Sequence, residues 1–284
     1  MPSDDDGLGP TDGPDWENGF SDAIRQFEDL SVFHFFSETW RWQRFPHFAN
    51  SSPAAMEFGY WNIRGLGAPF RMIFAYKEIK YEDKQYATFD SWFKGRKPAI
   101  LEMTPLANLP YLVDGEKCIC QTNAIFLYLG EKLGLNGKTE AQKLRTSELL
   151  CEIYDVRNGM IDLSYPSHQV CRTEEEYRAK AESIVGALPF GKFEAMLALE
   201  DNASGGKWFV LEEGPGVADF HIWEMLDQHR VLAERLGSPN CLDKFPRCKA
   251  FHQALRALPS LQQYFASDAY ALEINYKPAG AYFL

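Results

Sequence analysis

Residues 107–131 read Ala107-Asn108-Leu109-Pro110-Tyr111-Leu112-Val113-Asp114-Gly115-Glu116-Lys117-Cys118-Ile119-Cys120-Gln121-Thr122-Asn123-Ala124-Ile125-Phe126-Leu127-Tyr128-Leu129-Gly130-Glu131. Pro110 opens a short apolar run, Asp114-Gly115 is a dipeptide favoured in tight hairpin turns, and Cys118 to Cys120 returns as a second strand. Gln121-Thr122-Asn123 then supplies side-chain oxygens ahead of apolar residues at Ile125, Phe126, Leu129 and Leu133, the pattern of a helix with a polar N-terminus. The first N–H groups of a helix have no intrahelical partner and lie at the positive end of its dipole, so a small carboxylate can dock at Gln121 and Thr122. Leu109 precedes a residue with no N–H, which leaves its own N–H and C=O available to pair with an extended peptide. Taken alone, the stretch also reads as an ordinary hairpin followed by a capped helix, and only about 5–6% of X–Pro bonds are cis, so spacing by itself favours a trans bond here.

Upstream, Glu57 to Trp61 reads as a strand, Asn62-Ile63-Arg64-Gly65-Leu66-Gly67 as a loop, and Phe70, Ile73, Phe74 and Tyr76 as the apolar face of a helix. Lys80 to Tyr86 gives another strand. Strand, helix, strand, hairpin and helix make a small α/β domain ending near Gly134. From Thr139 onward the periodicity is helical, with candidate helices at Glu140–Gln169, Glu174–Leu199, Val217–Arg235 and Phe245–Phe265. A tail from Ser267 to Leu284 ends in several aromatic residues.

The chain of 284 residues, 45% apolar, is long enough for two cores. No run reaches the roughly 18 apolar residues of a membrane span. The net charge of −11 and the lack of a basic cluster argue against nucleic acid as a partner. Six cysteines, with Cys118-x-Cys120 the only close pair, read as thiols of a reducing compartment, the cytoplasm, rather than a disulfide framework. That pair shares one strand face; core packing is the better reading, metal binding the lesser one.

Residues 1–55 differ from the rest, with ten acidic residues against three arginines and ten Phe or Trp. The first 18 are rich in Asp, Gly and Pro and read as disordered. Ser21 to Arg44 reads as an amphipathic helix whose acidic face suits neither a membrane surface nor a transit peptide. The segment is expected to pack on the main body or on another protein, with Asn50-Ser51-Ser52-Pro53 as the linker.

Three motifs in order, Tyr60-Trp61-Asn62-Ile63-Arg64-Gly65-Leu66, Asn108-Leu109-Pro110-Tyr111-Leu112-Val113-Asp114-Gly115 and Gln121-Thr122-Asn123-Ala124-Ile125, followed by a helical half, resemble the mu-class glutathione transferases. The resemblance covers about Met56 to Ala266. It implies a thioredoxin-like α/β domain at 56–136 and an all-α domain at 137–266, with 1–55 an extension, 267–284 a tail, and the Leu109-Pro110 bond cis. Glutathione is the implied cosubstrate, with no metal.

Roles follow from the resemblance residue by residue. Tyr60 would donate a hydrogen bond to the glutathione sulfur and hold it as thiolate; a free cysteine thiol has a pKa of about 8.5. The thiolate would then attack an electrophilic carbon. Trp61 and Leu66 would line the glutathione site. Leu109 would pair through its backbone with the cysteinyl part, beside Asn108 and Pro110. Gln121 and Thr122, the latter in place of a usual serine, would hold the γ-glutamyl carboxylate. Trp92 would lie at the glycyl end with a nearby cation drawn from Lys94, Arg96 or Lys97. Asp155 would reach the γ-glutamyl amine across a homodimer interface, and Tyr165 would act as general acid toward an epoxide or carbonyl oxygen. Asp155 as a surface residue, Tyr165 as a core aromatic and a solvated basic loop are the alternatives.

Two departures stand out. Leu106 occupies the place of an aromatic that locks into the partner subunit, and Gly216 replaces a Ser or Thr helix cap, with Asp219 still able to reach back. The expected activity is conjugation of glutathione to small hydrophobic electrophiles. The competing readings are a glutathione-dependent isomerase of the sigma type, which needs the same thiolate, and a non-catalytic scaffold that uses the aromatic extension to dock.

Overall fold

The computed structural model describes residues 56–239 and 241–284. The proposed helix at Ser21–Arg44 and the linker at Asn50–Pro53 lie outside them. Strand β1 (Met56–Trp61) leads through a loop into helix α1 (Gly67–Tyr76) and back to β2 (Tyr81–Tyr86), which pairs parallel to β1. After a π-helical segment (Ser91–Arg96) and α2 (Lys97–Met103), the hairpin β3 (Tyr111–Asp114) and β4 (Lys117–Cys120) adds on antiparallel, giving the order β2-β1-β3-β4. Helix α3 (Thr122–Leu133) closes the domain. Every strand expected from the sequence is present; the π-helical segment and α2 were not foreseen.

Alternation along β1 divides the sheet's two faces. Phe58 and Tyr60 are buried in the main core with α1 and α3, Phe58 lying 5.1 Å from Phe70. The opposite face carries a smaller core of Tyr86, Trp92, Ile100, Tyr111 and Cys120. There the Tyr111 ring covers Gly59 so closely that a Cβ on residue 59 would fall 2.1 Å from its Cε1. The Tyr111 hydroxyl donates to Glu57 Oε1 (2.5 Å) and shares a hydrogen bond with that of Tyr86 (2.7 Å). Burial and the neighbouring Cys120 push the Cys118 thiol up to about 11, in keeping with packing rather than a reactive pair.

The helical domain comprises α4 (Glu140–Ser164), α5 (Glu174–Gly186), α6 (Gly191–Leu197), α7 (Val217–Arg235), α8 (Pro246–Arg256) and α9 (Gln262–Phe265). Thr139 starts α4 with reciprocal bonds, its hydroxyl accepting from the Gln142 N–H and its own N–H donating to Gln142 Oε1, each at 3.2 Å. Three sequence expectations need correction. The helix expected over Glu140–Gln169 ends at Ser164, because Pro166 biases Tyr165 away from helical backbone, and a 3-10 turn (Pro166–His168) follows. Glu174–Leu199 is not one helix but two, because Pro189 has no N–H to donate and biases Leu188 away from helical backbone. Phe245–Phe265 is likewise split, at Leu258-Pro259.

Helix α7 is buried along nearly its whole length and forms the centre of the molecule's larger core. Its first turn is fastened by Asp219, whose Oδ2 accepts the Gly216 N–H and whose Oδ1 accepts the Phe209 N–H, both at 3.1 Å. No described helix is long and apolar enough to cross a membrane.

Candidate active site

Tyr60 is the last inward-facing residue of β1, and only 4% of its surface is accessible. The loop that follows folds its main chain against the phenol. A Cβ at Gly65 would sit 2.9 Å from the Tyr60 hydroxyl, and one at Gly67 would sit 2.8 Å from Tyr60 Cδ1. Leu66, buried, is the N-cap of α1. The Tyr264 hydroxyl is sealed inside without a partner, whereas the Tyr60 hydroxyl is not among the sealed atoms. The Tyr60 hydroxyl thus lies against the Gly65 main chain, just ahead of the α1 start.

Four anchors fix this loop. Arg71 Nη1 donates to the Ile63 carbonyl (2.7 Å) while its Nε holds Asp83 (2.9 Å). Arg64, itself buried, donates to Glu224 through Nε (3.0 Å) and Nη2 (2.9 Å) and to Asp227 through Nη2 (2.7 Å), both acids on α7. Burial alone would raise the Asp227 carboxyl, but His252 and Arg64 hold it well below its ordinary value. From the tail, the carbonyls of Glu273 and Ile274 accept the N–H groups of Arg64 (2.7 Å) and Gly65 (3.0 Å).

The cis Leu109-Pro110 bond lies at the same end of the sheet as Tyr60, since Gly59 pairs with Tyr111. Asn108, exposed, turns its Oδ1 onto the Leu109 N–H at 2.9 Å, and Pro110 is buried. Gln121, between β4 and α3, has φ +80°, a left-handed backbone that a non-glycine residue adopts only when its surroundings impose it. The exposed Gln121 and the buried Thr122 therefore mark the start of α3 at the same end of the sheet as Tyr60 and Leu109. The strained Gln121 backbone carried no signal in the sequence, because Gln has no preference for it.

Other expected residues are placed differently. Trp92 is 2% accessible and stacks on Tyr111 at 5.8 Å in the smaller core, against which Trp61 and Leu109 also pack. Arg96 is bound to Glu57 at 2.8 Å. Lys94 pairs with Asp90, but Lys97 has no carboxylate partner among the described residues and lies over Phe93, 5.0 Å from the ring centre. Phe93 in turn neighbours Trp61, at 6.4 Å.

Tyr165 follows the last turn of α4. Burial pushes its phenol up to about 12, against a hydrogen bond from the Tyr276 N–H at 2.7 Å. The Tyr165 oxygen therefore already accepts one bond from the tail, while its proton remains its own to donate. Tyr276 also stacks on Trp61 at 4.7 Å and donates its hydroxyl to the Ala87 carbonyl at 2.9 Å. Neither tail contact was visible in the sequence, where only an aromatic tail could be noted. Phe283 is fully buried, so it packs inside rather than lying over the cleft.

Asp155 is exposed and lines a cleft of about 630 Å³ with Glu152, Asp162, Lys180 and Ile184. Leu106 is 62% accessible.

Comparisons with known proteins agree with this fold. The family described as glutathione S-transferase, N-terminal domain, matches residues 56–131, and the glutathione S-transferase, C-terminal domain, family matches residues 154–268. The chain is 32% identical to glutathione S-transferase Mu 1 of Oryctolagus cuniculus over 219 residues, covering 76% of this chain and 92% of that protein. It is 34% identical to glutathione S-transferase Mu 2 of Rattus norvegicus, with the same two shares covered. Among solved structures, the Pi-class glutathione S-transferase of Onchocerca volvulus superposes with a TM-score of 0.63 at 28% identity, covering 78% of this chain and 97% of that one. A thioredoxin-like domain with a cis-proline cradle, joined to a helical domain and matched in both halves at this identity, leaves one assignment: the chain belongs to the glutathione S-transferase family.

Proposed function

We propose that the protein conjugates glutathione to small hydrophobic electrophiles in the cytoplasm, with Tyr60 donating its hydroxyl hydrogen bond to the glutathione sulfur. The observation that carries this reading is the Tyr60 hydroxyl itself, held against the Gly65 main chain at the end of β1. A thiolate accepting that bond in a partly dry cleft is favoured over the thiol, which lowers the sulfur's pKa. Leu109 offers its carbonyl to the cysteinyl backbone, Gln121 and Thr122 receive the γ-glutamyl carboxylate at the start of α3, and Trp61, Leu66, Asn108 and Pro110 shape the cradle. Lys97, rather than Arg96, supplies the cation at the glycyl end, because Glu57 already occupies the Arg96 guanidinium. Tyr165, its oxygen steadied by the tail, donates its proton to an epoxide or carbonyl oxygen as that oxygen gains charge.

Asp155, exposed on α4, fits a role in a partner's site, so a homodimer completes the arrangement. With all six cysteines free, a reducing compartment suits the chain. Among the described residues no feature favours the scaffold or isomerase reading over this one.

The test is aryl-halide conjugation by the wild type and Tyr60→Phe. Loss of one donor aimed at a developing or resting anion costs about 10²-fold or more in turnover, and the pH at which the rate rises should move toward that of a free thiol, about 8.5. Unchanged turnover in Tyr60→Phe would remove the phenol from this role.

A further inference from the structure

Gly159 lies inside α4, where glycine is a poor helix former. A Cβ built on it would meet nothing within 4 Å, and the position opens onto the cleft of about 630 Å³ between α4 and the α5–α6 pair. The missing side chain keeps that space clear. Val156, Val170, Ile184 and Pro189 give the cleft apolar walls, and its volume falls within the roughly 300–1,000 Å³ of small-molecule sites. Of the residues given to the glutathione site, only the exposed Asp155 is shared with it.

His229 reaches the cleft from α7 with 1% of its surface accessible. Its ring is fixed twice: Nδ1 lies 2.7 Å from the Met225 carbonyl oxygen, and the Phe190 ring meets it edge-on at 5.0 Å. A carbonyl can only accept, so Nδ1 carries the proton and Nε2 presents a bare lone pair. That Nε2 has no partner among the described residues, and unlike both nitrogens of His221 it is not sealed off. Burial pushes the imidazole down to about 4, so the lone pair stays free at neutral pH. The charged neighbours are engaged elsewhere: Lys192 holds Glu152 (2.7 and 2.8 Å), and Asp162 lies 2.9 Å from His168 Nδ1. A buried acceptor that faces open apolar space is a place for a donor from outside.

One donor and an apolar body therefore describe the ligand. An amide would bring a carbonyl among the apolar walls and a carboxylate would bring a charge, whereas a phenol brings a single hydroxyl on a flat ring. We propose that this cleft binds a polycyclic phenol, its hydroxyl donating to His229 Nε2 and its rings lying between α4 and the α5–α6 pair. The phenol is held there and not turned over. The site goes beyond conjugation and does not rest on the glutathione reading.

The experiment is calorimetry on the full chain, with S-hexylglutathione saturating the conjugation site. It compares 2-naphthol with 2-methoxynaphthalene, which keeps the rings and lacks the O–H. The naphthol should bind the wild type about tenfold tighter than the ether. His229→Phe should bring the two ligands to equal affinity by removing the acceptor and keeping a ring. Gly159→Leu adds a good helix former and fills the cleft without touching His229, so it should weaken both ligands about tenfold or more. Equal binding of the two ligands to the wild type overturns the assignment, as do unchanged affinities in Gly159→Leu. Loss of all naphthol binding on addition of S-hexylglutathione also overturns it, since the naphthol then sat in the conjugation site. A wild type that discriminates the two ligands but takes up no S-hexylglutathione keeps the phenol site and overturns the glutathione reading instead.

Discussion

At the scale of single residues, the site depends on places where a side chain is missing. Gly65 has φ +34° and stands where a Cβ would press on the Tyr60 hydroxyl at 2.9 Å. Gly115, in the β3–β4 turn, has φ +62° but open space around it. Alanine at either position strains the backbone, at a cost of about 1 kcal/mol. Only Gly65→Ala should also displace the phenol. Thermal melts should show both variants destabilised, while conjugation at saturating glutathione should fall about tenfold or more in Gly65→Ala alone, as expected when a catalytic group is misplaced by a fraction of an ångström. Equal activity in the two would mean that the Gly65 main chain does not set the position of Tyr60. Residue identities were legible here, since Tyr60, Leu109, Pro110, Gln121 and Thr122 occur in ordered motifs. The inward turn of Trp92 and Arg96 was not. It is imposed by Glu57, 39 residues from Arg96, and by the Tyr111 ring, and local sequence does not show a partner so distant.

At the scale of elements, strand and helix starts were readable because their causes are local. Asp114-Gly115 makes the hairpin turn, Thr139 and Gln142 cap α4, and α7 begins and ends where its pattern does, at Val217 and Arg235. The π-helical segment and α2 escaped notice because their apolar residues are few and Trp92 and Ile100 are recruited by a sheet face built from other segments. Glycine at the α7 cap position contributes no side chain, so the whole task falls to Asp219. This carboxylate joins the Gly216 and Phe209 N–H groups in a region closed to solvent. Asp219→Ala would leave both donors buried and unsatisfied, at about 1–3 kcal/mol each. Urea titration should place the variant about 2–5 kcal/mol below the wild type with an unchanged denaturant slope. A loss under 1 kcal/mol would mean that water or rearranged backbone replaces those bonds.

At the scale of the whole molecule, α7 links both domains among the described residues: Arg64 ties the loop after β1 to Glu224 and Asp227, and Asp219, His221 and His229 are buried along the same helix. The fold thereby acquires a pH dependence whose sign can be derived. Burial pushes the Asp219 carboxyl up to about 7, lowers the His221 imidazole to about 3 with help from the Arg157 charge, and lowers His229 to about 4. In the unfolded chain these groups titrate near 3.9 for Asp and 6.5 for His. A carboxyl raised on folding stabilises the native state at low pH, and that contribution disappears as pH rises toward 7. An imidazole lowered on folding does the reverse: its contribution is complete above about 6.5 and is lost as pH falls toward its folded value. Between about pH 4.5 and 6 the unfolded chain thus holds two more protons on the histidines and one fewer on Asp219. These three groups together make stability rise with pH by about 1.4 kcal/mol per unit. Replacing His221 by Phe should cancel that rise, so the wild type and variant should differ in slope by about 1.4 kcal/mol per pH unit in this window, whatever the exposed carboxylates add to both. The substitution is well chosen for packing, because the imidazole stacks on Phe126 at 5.3 Å and neither of its nitrogens has a partner among the described residues. Above pH 7 His221→Phe should be at least as stable as the wild type, having removed two unsatisfied polar atoms from the interior. Parallel stability curves for the two proteins from pH 4.5 to 6, measured by urea unfolding, would show that His221 takes up its proton as readily inside the fold as outside it.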